Sequence, residues 1–246
     1  MDKVAAFTAL HVPGDPLVLY NIWDAGSARV VAEAGAKAVA TGSHAVAEAN
    51  GYQDGETLPL DIVLENLRRI LLVTDLPVTL DLEAGYGDTP DEVGASVTQV
   101  REIGGAGINM EDRMPGETAL LPVDAAAERF AAAAATGIHV NARTDVYRGK
   151  DIAECSPAMI DDVLSRAQAY ANAGAKSLFV PFLGDHPTLK TICEGSPLPV
   201  NVMWAPGRGT KAELASLGVA RISYGPGPWA AAMEWLGEQA HAVFEG

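Results

Sequence analysis

Cysteine is nearly absent: Cys155 and Cys193 are the only two, and neither stands in a C-x-x-C spacing. That excludes a disulfide framework and the usual zinc or dithiol motifs, and makes a reducing cytoplasm the expected compartment. Long apolar runs are absent too, none reaching the roughly 18 residues that mark a membrane span. The N-terminal stretch MDKVAAFTALHVPGDP carries an acid at position 2 and no extended apolar segment before a small-residue cleavage site, so it does not read as a secretory signal. Positive charge is scarce, with 17 Lys and Arg against 32 Asp and Glu and a net charge of -15. Such a surface repels a phosphate backbone, which excludes nucleic acid as a natural partner. None of Lys3, Lys37, Lys150, Lys176, Lys190 and Lys211 closes an apolar strand-like run, and this removes a Schiff-base aldolase from the candidates.

What the chain does have is apolar content, 48% over 246 residues, enough for one large core and a single domain spanning 1–246. AEAGAKAVAT, REIGGAGINM, ANAGAKSLFV and ASLGVARISY share one rhythm, a helix-like stretch closed by glycine and followed by an apolar strand. Helix starts fall at Thr89-Pro90, Pro122-Val123-Asp124 and Ser156-Pro157. Strands are expected at 17–23, 36–41, 77–83, 106–112, 139–145, 176–182, 198–204 and 220–225, with a last helix over 228–244. Eight strand-helix units in this length predict an α/β fold of (β/α)8, TIM-barrel type. A doubly wound sheet is the alternative, but NIWDAGSAR after the first strand lacks a phosphate-binding glycine pattern, and APGRGTKAE comes too late in the chain to supply one.

Parallel strands buried on both faces normally read as unbroken apolar runs, yet three consecutive strands alternate. Val78, Leu80 and Leu82 interleave with Thr79, Asp81 and Glu83; Ile108 and Met110 with Gly107, Asn109 and Glu111; and the next strand carries Asn141, Arg143 and Asp145 on one face. The apolar set is needed against the outer helices, so the polar set points into the barrel toward its C-terminal mouth. Several carboxylates in one confined space require compensation. Arg143 neutralises one of Asp81, Glu83 and Glu111, and a divalent cation with oxygen ligands is the natural counter-ion for the others. An interior ion-pair network without metal is the alternative.

The stretches NIWDAGSARVVAEAGAKAVATGS, DGETLPLD, DLEAGYGD, GINMED and NARTD, in this order over residues 20–225, resemble the isocitrate lyase and phosphoenolpyruvate mutase superfamily. The resemblance implies the same barrel, a Mg²⁺ cofactor with Mn²⁺ as the alternative, and a small 2-oxo or 2-hydroxy carboxylate substrate that passes through a pyruvate-type enolate. It implies Asp81 as a metal ligand, Glu83 and Glu111 as holders of metal-bound water, and Asp54 in NGYQDG as the catalytic aspartate. Gly42 and Ser43 match backbone donors to the substrate carboxylate, and Arg143 matches the arginine that clamps it. A homo-oligomer, tetramer or dimer, with an exchanged eighth helix is implied as well. Two departures stand out. EDRMPGETALLP replaces the K-[KR]-C-G-H loop of the family's lyases and holds no cysteine, lysine or histidine, so isocitrate or methylisocitrate cleavage by that route is not expected; Glu83 stands where the mutases have aspartate. The expected activity is C–C cleavage or decarboxylation by a Mg²⁺-dependent lyase, with phosphonopyruvate-type P–C chemistry and a non-catalytic 2-oxo acid binder as alternatives.

Loop 112–121 reads as a lid, with Arg113, Glu117 and Thr118 as candidate contacts. His44 is a candidate proton donor and, like Asn141 and Trp23, a candidate substrate contact, although a loop histidine is commonly only solvated. Trp23 and Trp204 stand at strand ends, where they wall a pocket or simply pack. Asp24 reads as a helix N-cap, Asp145 as an orienter of Arg143, and His139 as a structural residue at the barrel bottom. His11, His186 and His241 are expected at the surface or in turns, and neither cysteine is expected to be a nucleophile.

Overall fold

The computed structural model describes residues 2–150 and 155–245. Its strands are β1 Leu17–Leu19, β2 Val39–Ala40, β3 Val78–Asp81, β4 Gly107–Glu111, β5 His139–Arg143, β6 Ser177–Val180, β7 Val200–Met203 and β8 Arg221–Ser223. All are parallel in one sheet of order β1-β8-β7-β6-β5-β4-β3-β2. No β1–β2 ladder completes the ring. A bridge between Ile22 and Thr41 does so, with the Ile22 N–H donating to Ala40 O at 2.8 Å and the Gly42 N–H to Ile22 O at 3.2 Å. The eight expected strands are all present but shorter, because the chain leaves the ladder as soon as it reaches the mouth.

The helices are α1 Lys3–Ala9, α2 Ala25–Glu33, α3 Ser43–Ala49, α4 Leu60–Leu71, α5 Pro90–Ile103, α6 Val123–Ala134, α7 Pro157–Asn172, α8 His186–Gly195, α9 Lys211–Ser216 and α10 Gly227–Phe244. Local chemistry sets their ends. Thr89 and Glu92 form a reciprocal capping box at α5, and its first position is Pro90. Asp24 caps α2 in the same way through Ser27, as expected. In α4 the buried residues Val63, Leu64, Leu67 and Ile70 repeat at helical spacing and face the sheet.

Residues paired across parallel strands share a face, so register decides what lies inside. Asp81 pairs with Asn109, Asn109 with Asn141, Asn141 with Ser177, and Asn201 with Arg221. Between them Leu80, Ile108, Val140, Leu178, Val202 and Ile222 point outward into the main core, which is the layer between sheet and helices. A second cluster of Phe7, Leu17, Leu19, Ala38, Ala40 and Ala106 fills the N-terminal end of the cylinder. Helix α1 plugs that end so closely that a Cβ on Gly107 would stand 2.7 Å from Phe7 Cε1.

His11 departs from expectation. The turn after α1 folds under the barrel and buries it, 6% exposed, stacked on His139 at 4.3 Å, with Nδ1 donating to Phe7 O at 3.0 Å. His186 opens α8 half-buried, and His241 is exposed on α10. Burial, helped by Arg221, pushes His11 down to about 3. Between about pH 6.5 and 3 the unfolded chain takes up a proton there that the folded chain refuses, so stability falls as pH drops through that window, by at most about 5 kcal/mol. Replacing His11 with Asn, which keeps a donor for Phe7 O, is expected to flatten the loss of urea stability between pH 6.5 and 4. An unchanged slope would exclude His11 as the source.

Candidate active site

Polar side chains inside the barrel form a directed run of hydrogen bonds. Thr8 Oγ1 lies 3.0 Å from His139 Nδ1, and His139 Nε2 lies 3.0 Å from Ser177 Oγ. Ser177 donates to Asn141 Oδ1 at 2.6 Å, Asn141 Nδ2 to Asn109 Oδ1 at 2.8 Å, and Asn109 Nδ2 to Asp81 Oδ1 at 3.1 Å. Because the Ser177 proton is committed to Asn141, His139 donates from Nε2 and accepts from Thr8 at Nδ1. The ring is therefore neutral, in keeping with burial holding its pKa well below the usual value. Every donor points toward Asp81, whose other oxygen accepts the Ser43 N–H at 3.2 Å.

Glu83 lies just past the end of β3, with φ at +51°, the left-handed region that side chains avoid. Only Glu56 and Tyr86 among the described non-glycine residues share that conformation, at +56° and +52°. The three hold one another. Gly55 and Glu56 N–H groups donate to Glu83 Oε2 at 2.7 and 2.8 Å, Tyr86 N–H donates to Glu56 Oε1 at 2.9 Å, and the Tyr86 hydroxyl reaches Glu83 Oε1 at 3.4 Å. Burial first, then Asp81 and Asp54, push Glu83 up to about 8.

The opposite wall is cationic. Glu111 accepts from Arg113 Nη2 at 3.0 Å and Arg143 Nη1 at 2.9 Å. Asp145 collects Arg143 Nε at 2.7 Å and both Arg113 and Arg148 at 3.2 Å. Asp145 thus orients Arg143, as expected, and braces two further arginines. Burial pushes Glu111 up to about 7 against the pull of Arg143, while Glu111 and Asp145 keep the buried Arg143 firmly protonated. Three of the five guanidinium N–H groups of Arg143 are engaged, leaving two.

Two adjoining cavities, about 610 and 260 Å³, share Ser43, Asp54, Arg143 and Arg148. Glu83, Glu111 and loop residues Arg113, Glu117 and Thr118 line the larger, and Gly42, His44, Asp81 and Asn109 the smaller. Several expectations need correction. The Gly42 N–H is bonded to Ile22 O, so it is not a free donor for a carboxylate. Trp23 lines neither cavity; it packs edge-on to Trp229 at 5.1 Å. Trp204 is stacked on Tyr224 and lines neither cavity. Asn141 is wholly buried within the barrel interior. His44 needs no such correction: it lines the smaller cavity, half-exposed beside Glu48. Cys193, by contrast, agrees with expectation: burial pushes its half-buried thiol up to about 12, so it is no nucleophile at neutral pH. Sequence reading missed Arg148, which a loop delivers, and Arg221, which lines the smaller cavity. Arg221 carried the same period-2 signal as β3 to β5, with Ile222 between it and Ser223.

The sequence profile described as phosphoenolpyruvate phosphomutase matches residues 7–244. The chain belongs to the phosphoenolpyruvate phosphomutase family. A provisionally assigned phosphonomutase from Burkholderia cenocepacia J2315 superposes with a TM-score of 0.94 at 47% identity, covering 99% of this chain and 98% of that one. An uncharacterized protein of Mycobacterium tuberculosis is 35% identical over 98% of this chain and 90% of its own length. An oxaloacetate decarboxylase of Rhodopseudomonas palustris is 28% identical over 92% and 79%. The phosphoenolpyruvate phosphomutase family thus has both lyases and phosphonomutases among this chain's relatives.

Among the described residues no three His, Cys, Asp or Glu side chains close into a metal cage. Glu111, expected as the third acid, is drawn off by two guanidiniums. Mg²⁺ does not need such a cage, since it takes one or two carboxylates and completes its shell with water and substrate oxygens. Asp81 and Glu83, the first raising the cost of charge on the second, are a donor pair that fits it.

Behind Glu111, the wholly buried Asp112 is anchored by Tyr170 at 2.8 Å, Arg166 at 3.2 Å and the Asp145 N–H at 3.1 Å. Replacing Arg166 with Met leaves that carboxylate short of its countercharge and is expected to cost about 3–5 kcal/mol in urea unfolding. A loss below about 1 kcal/mol would show that the anchor is dispensable.

Proposed function

We propose that this family member is a Mg²⁺-dependent lyase that cleaves or decarboxylates a small 2-oxo or 2-hydroxy carboxylate through an enolate. The observation that carries this reading is the division of the mouth into a carboxylate side, Asp81, Glu83 and Asp54, and an arginine side, both lining the two adjoining cavities. Asp81 and Glu83 would hold the ion. When bound there, Mg²⁺ supplies Lewis-acid stabilisation of the negative charge that develops on the 2-oxo oxygen as the neighbouring bond breaks. The remaining N–H groups of Arg143 bind and orient the substrate carboxylate. Asp54, exposed at the rim, is placed to move a proton to or from the substrate carbon. Loop 112–121, closed on itself by the Arg113–Leu120 bridge and by Arg113 Nη1 on Glu117 O at 2.6 Å, covers the larger cavity as a lid and excludes water.

A coupled assay for pyruvate release tests this with oxaloacetate, phosphonopyruvate and 2-methylisocitrate, each with Mg²⁺ and with chelator. Turnover of oxaloacetate is expected, lost on chelation and restored by Mg²⁺, with none of 2-methylisocitrate because the lid lacks a cysteine-histidine pair. Asp81→Asn is expected to lower kcat/KM about 100-fold or more. Turnover of phosphonopyruvate alone, to pyruvate and phosphate by P–C hydrolysis or to phosphoenolpyruvate followed by phosphorus NMR, would assign P–C chemistry, the latter being that of a phosphonomutase such as the Burkholderia cenocepacia relative is provisionally assigned to be. Binding without turnover of any of the three would mark a silent binding protein.

Self-association belongs to the same proposal. Helix α10 buries only Pro228 and leaves Trp235, Leu236, Val243 and Phe244 between 53% and 86% exposed. A second copy of the chain is the occupant that the resemblance names for such a helix. Trp235→Glu is expected to shift the protein to monomer in sedimentation or light scattering, and a wild type already monomeric at micromolar concentration would refute it.

A further inference from the structure

Arg129 lies on α6, 4% exposed, and lines neither cavity of the mouth. Among the described residues its hydrogen bonds go to backbone carbonyls and to no carboxylate. Nη2 donates to Ala84 O and Gly87 O at 2.8 Å and Nη1 to Asp88 O at 2.9 Å, while Nε is buried without a partner. Burying a guanidinium against carbonyls alone is costly, and the three it takes all belong to loop 84–88, directly after Glu83. Other elements grip the same loop. Ser96 Oγ on α5 donates to Tyr86 O at 2.8 Å, the Glu111 N–H on β4 donates to Glu83 O at 2.7 Å, and a Cβ on Gly87 would stand 2.7 Å from Val93 N. The loop in turn holds a second one. The Tyr86 N–H donates to Glu56 Oε1 at 2.9 Å, and the N–H groups of Gly55 and Glu56 donate to Glu83 Oε2 at 2.7 and 2.8 Å. Segment 54–56, which bears Asp54, is therefore fastened through groups that Arg129 fixes at one remove.

We propose that Arg129 is a positioning residue for the mouth: from outside both cavities, and through the carbonyls of loop 84–88, it sets the turn that presents Glu83 and holds segment 54–56 with Asp54 beside it. The inference rests on the reading of Glu83 as a holder of Mg²⁺ and of Asp54 as the acid that moves a proton. A guanidinium suits the task because its planar fork reaches three oxygens at once in fixed geometry. Glu83 and Tyr86 are left-handed, a conformation that persists only where the surroundings over-determine it. Ala84 and Gly87, the residues that follow each of them, are the ones Arg129 anchors through Nη2.

Amide hydrogen exchange of the full chain without metal, read residue by residue, tests this at N–H groups that Arg129 does not bond. In Arg129→Met those of Gly55 and Glu56 are expected to exchange about tenfold faster or more. The Ser27 N–H, held by the Asp24 carboxylate at 2.7 Å in the same kind of bond at another helix, is expected to change less than about threefold. A general loosening would quicken all three alike and overturn the proposal. Calorimetric titration with Mg²⁺, at a temperature where both proteins are fully folded, is expected to show binding about 10- to 100-fold weaker in the variant. Unchanged Mg²⁺ affinity would leave Arg129 a staple for its own loop and overturn the proposal. Arg129→Lys keeps the charge and three donors without the fork, and is expected to fall between wild type and Arg129→Met in both measurements. Should Arg129→Met fail to fold, an effect of about threefold or more on Gly55 and Glu56 in Arg129→Lys, with Ser27 unmoved, supports the role, and its absence overturns it. If wild type takes up no Mg²⁺ at all, the metal reading falls, and the exchange rates alone decide the role of Arg129.

Discussion

Asp81 is held in place by hydrogen bonds that begin at the far end of the cylinder. Five donors in series, from Thr8 through His139, Ser177, Asn141 and Asn109, deliver their protons in one direction and stop at a carboxylate. A polar barrel interior is tolerable only when its groups satisfy one another, and this run satisfies most of the inner faces of β4, β5 and β6. It also fixes what a site needs, the orientation of an acid at the mouth, with parts that are themselves immobilised by packing. The neutral state of His139 belongs to the same arrangement, since a protonated ring would have no acceptor role for Thr8 to meet.

Charge is sorted across the mouth. On one side Glu83 stands beside Asp81 and Asp54, and burial first, then the charges of those two, displaces it to about 8. On the other, Glu111 and Asp145 are enclosed by Arg113, Arg143 and Arg148. The left-handed non-glycine residues among those described gather on the acidic side. Glu56, Glu83 and Tyr86 each cost on the order of 1–3 kcal/mol in that conformation, and each is retained by hydrogen bonds from the other two or their neighbours. Backbone strain is thus concentrated where the acidic side chains are crowded, on the side of the mouth to which the proposed cation is assigned.

Much of this was legible in the sequence because barrel strands expose their inner faces by alternation. Thr79-Asp81, Gly107-Asn109-Glu111 and Asn141-Arg143 gave the inward set directly, and glycine-closed helices gave the count of eight. Legibility failed where a residue's partner comes from elsewhere in the chain. Glu111 reads as a metal-side acid until Arg113 and Arg143 are seen on both of its oxygens. Gly42 reads as a free donor until the bridge that closes the barrel claims its N–H. Trp23 and His11 were misplaced because a helix packing over a strand end, or a turn folding under the barrel, leaves no periodic signature.

From the sequence alone came the closed parallel barrel, the alternation that turns acids and amides inward, and the end of the barrel where they gather, because period-2 patterning and capping are local and survive without knowing what packs where. Only the tertiary structure decided which acid faces which base, that Asn141 transmits order rather than touching a ligand, and that Arg221 lies in the interior without a matched carboxylate. Those are facts about pairs of side chains far apart in sequence, and the electrostatic energy of a buried group depends on such distances and on nothing local.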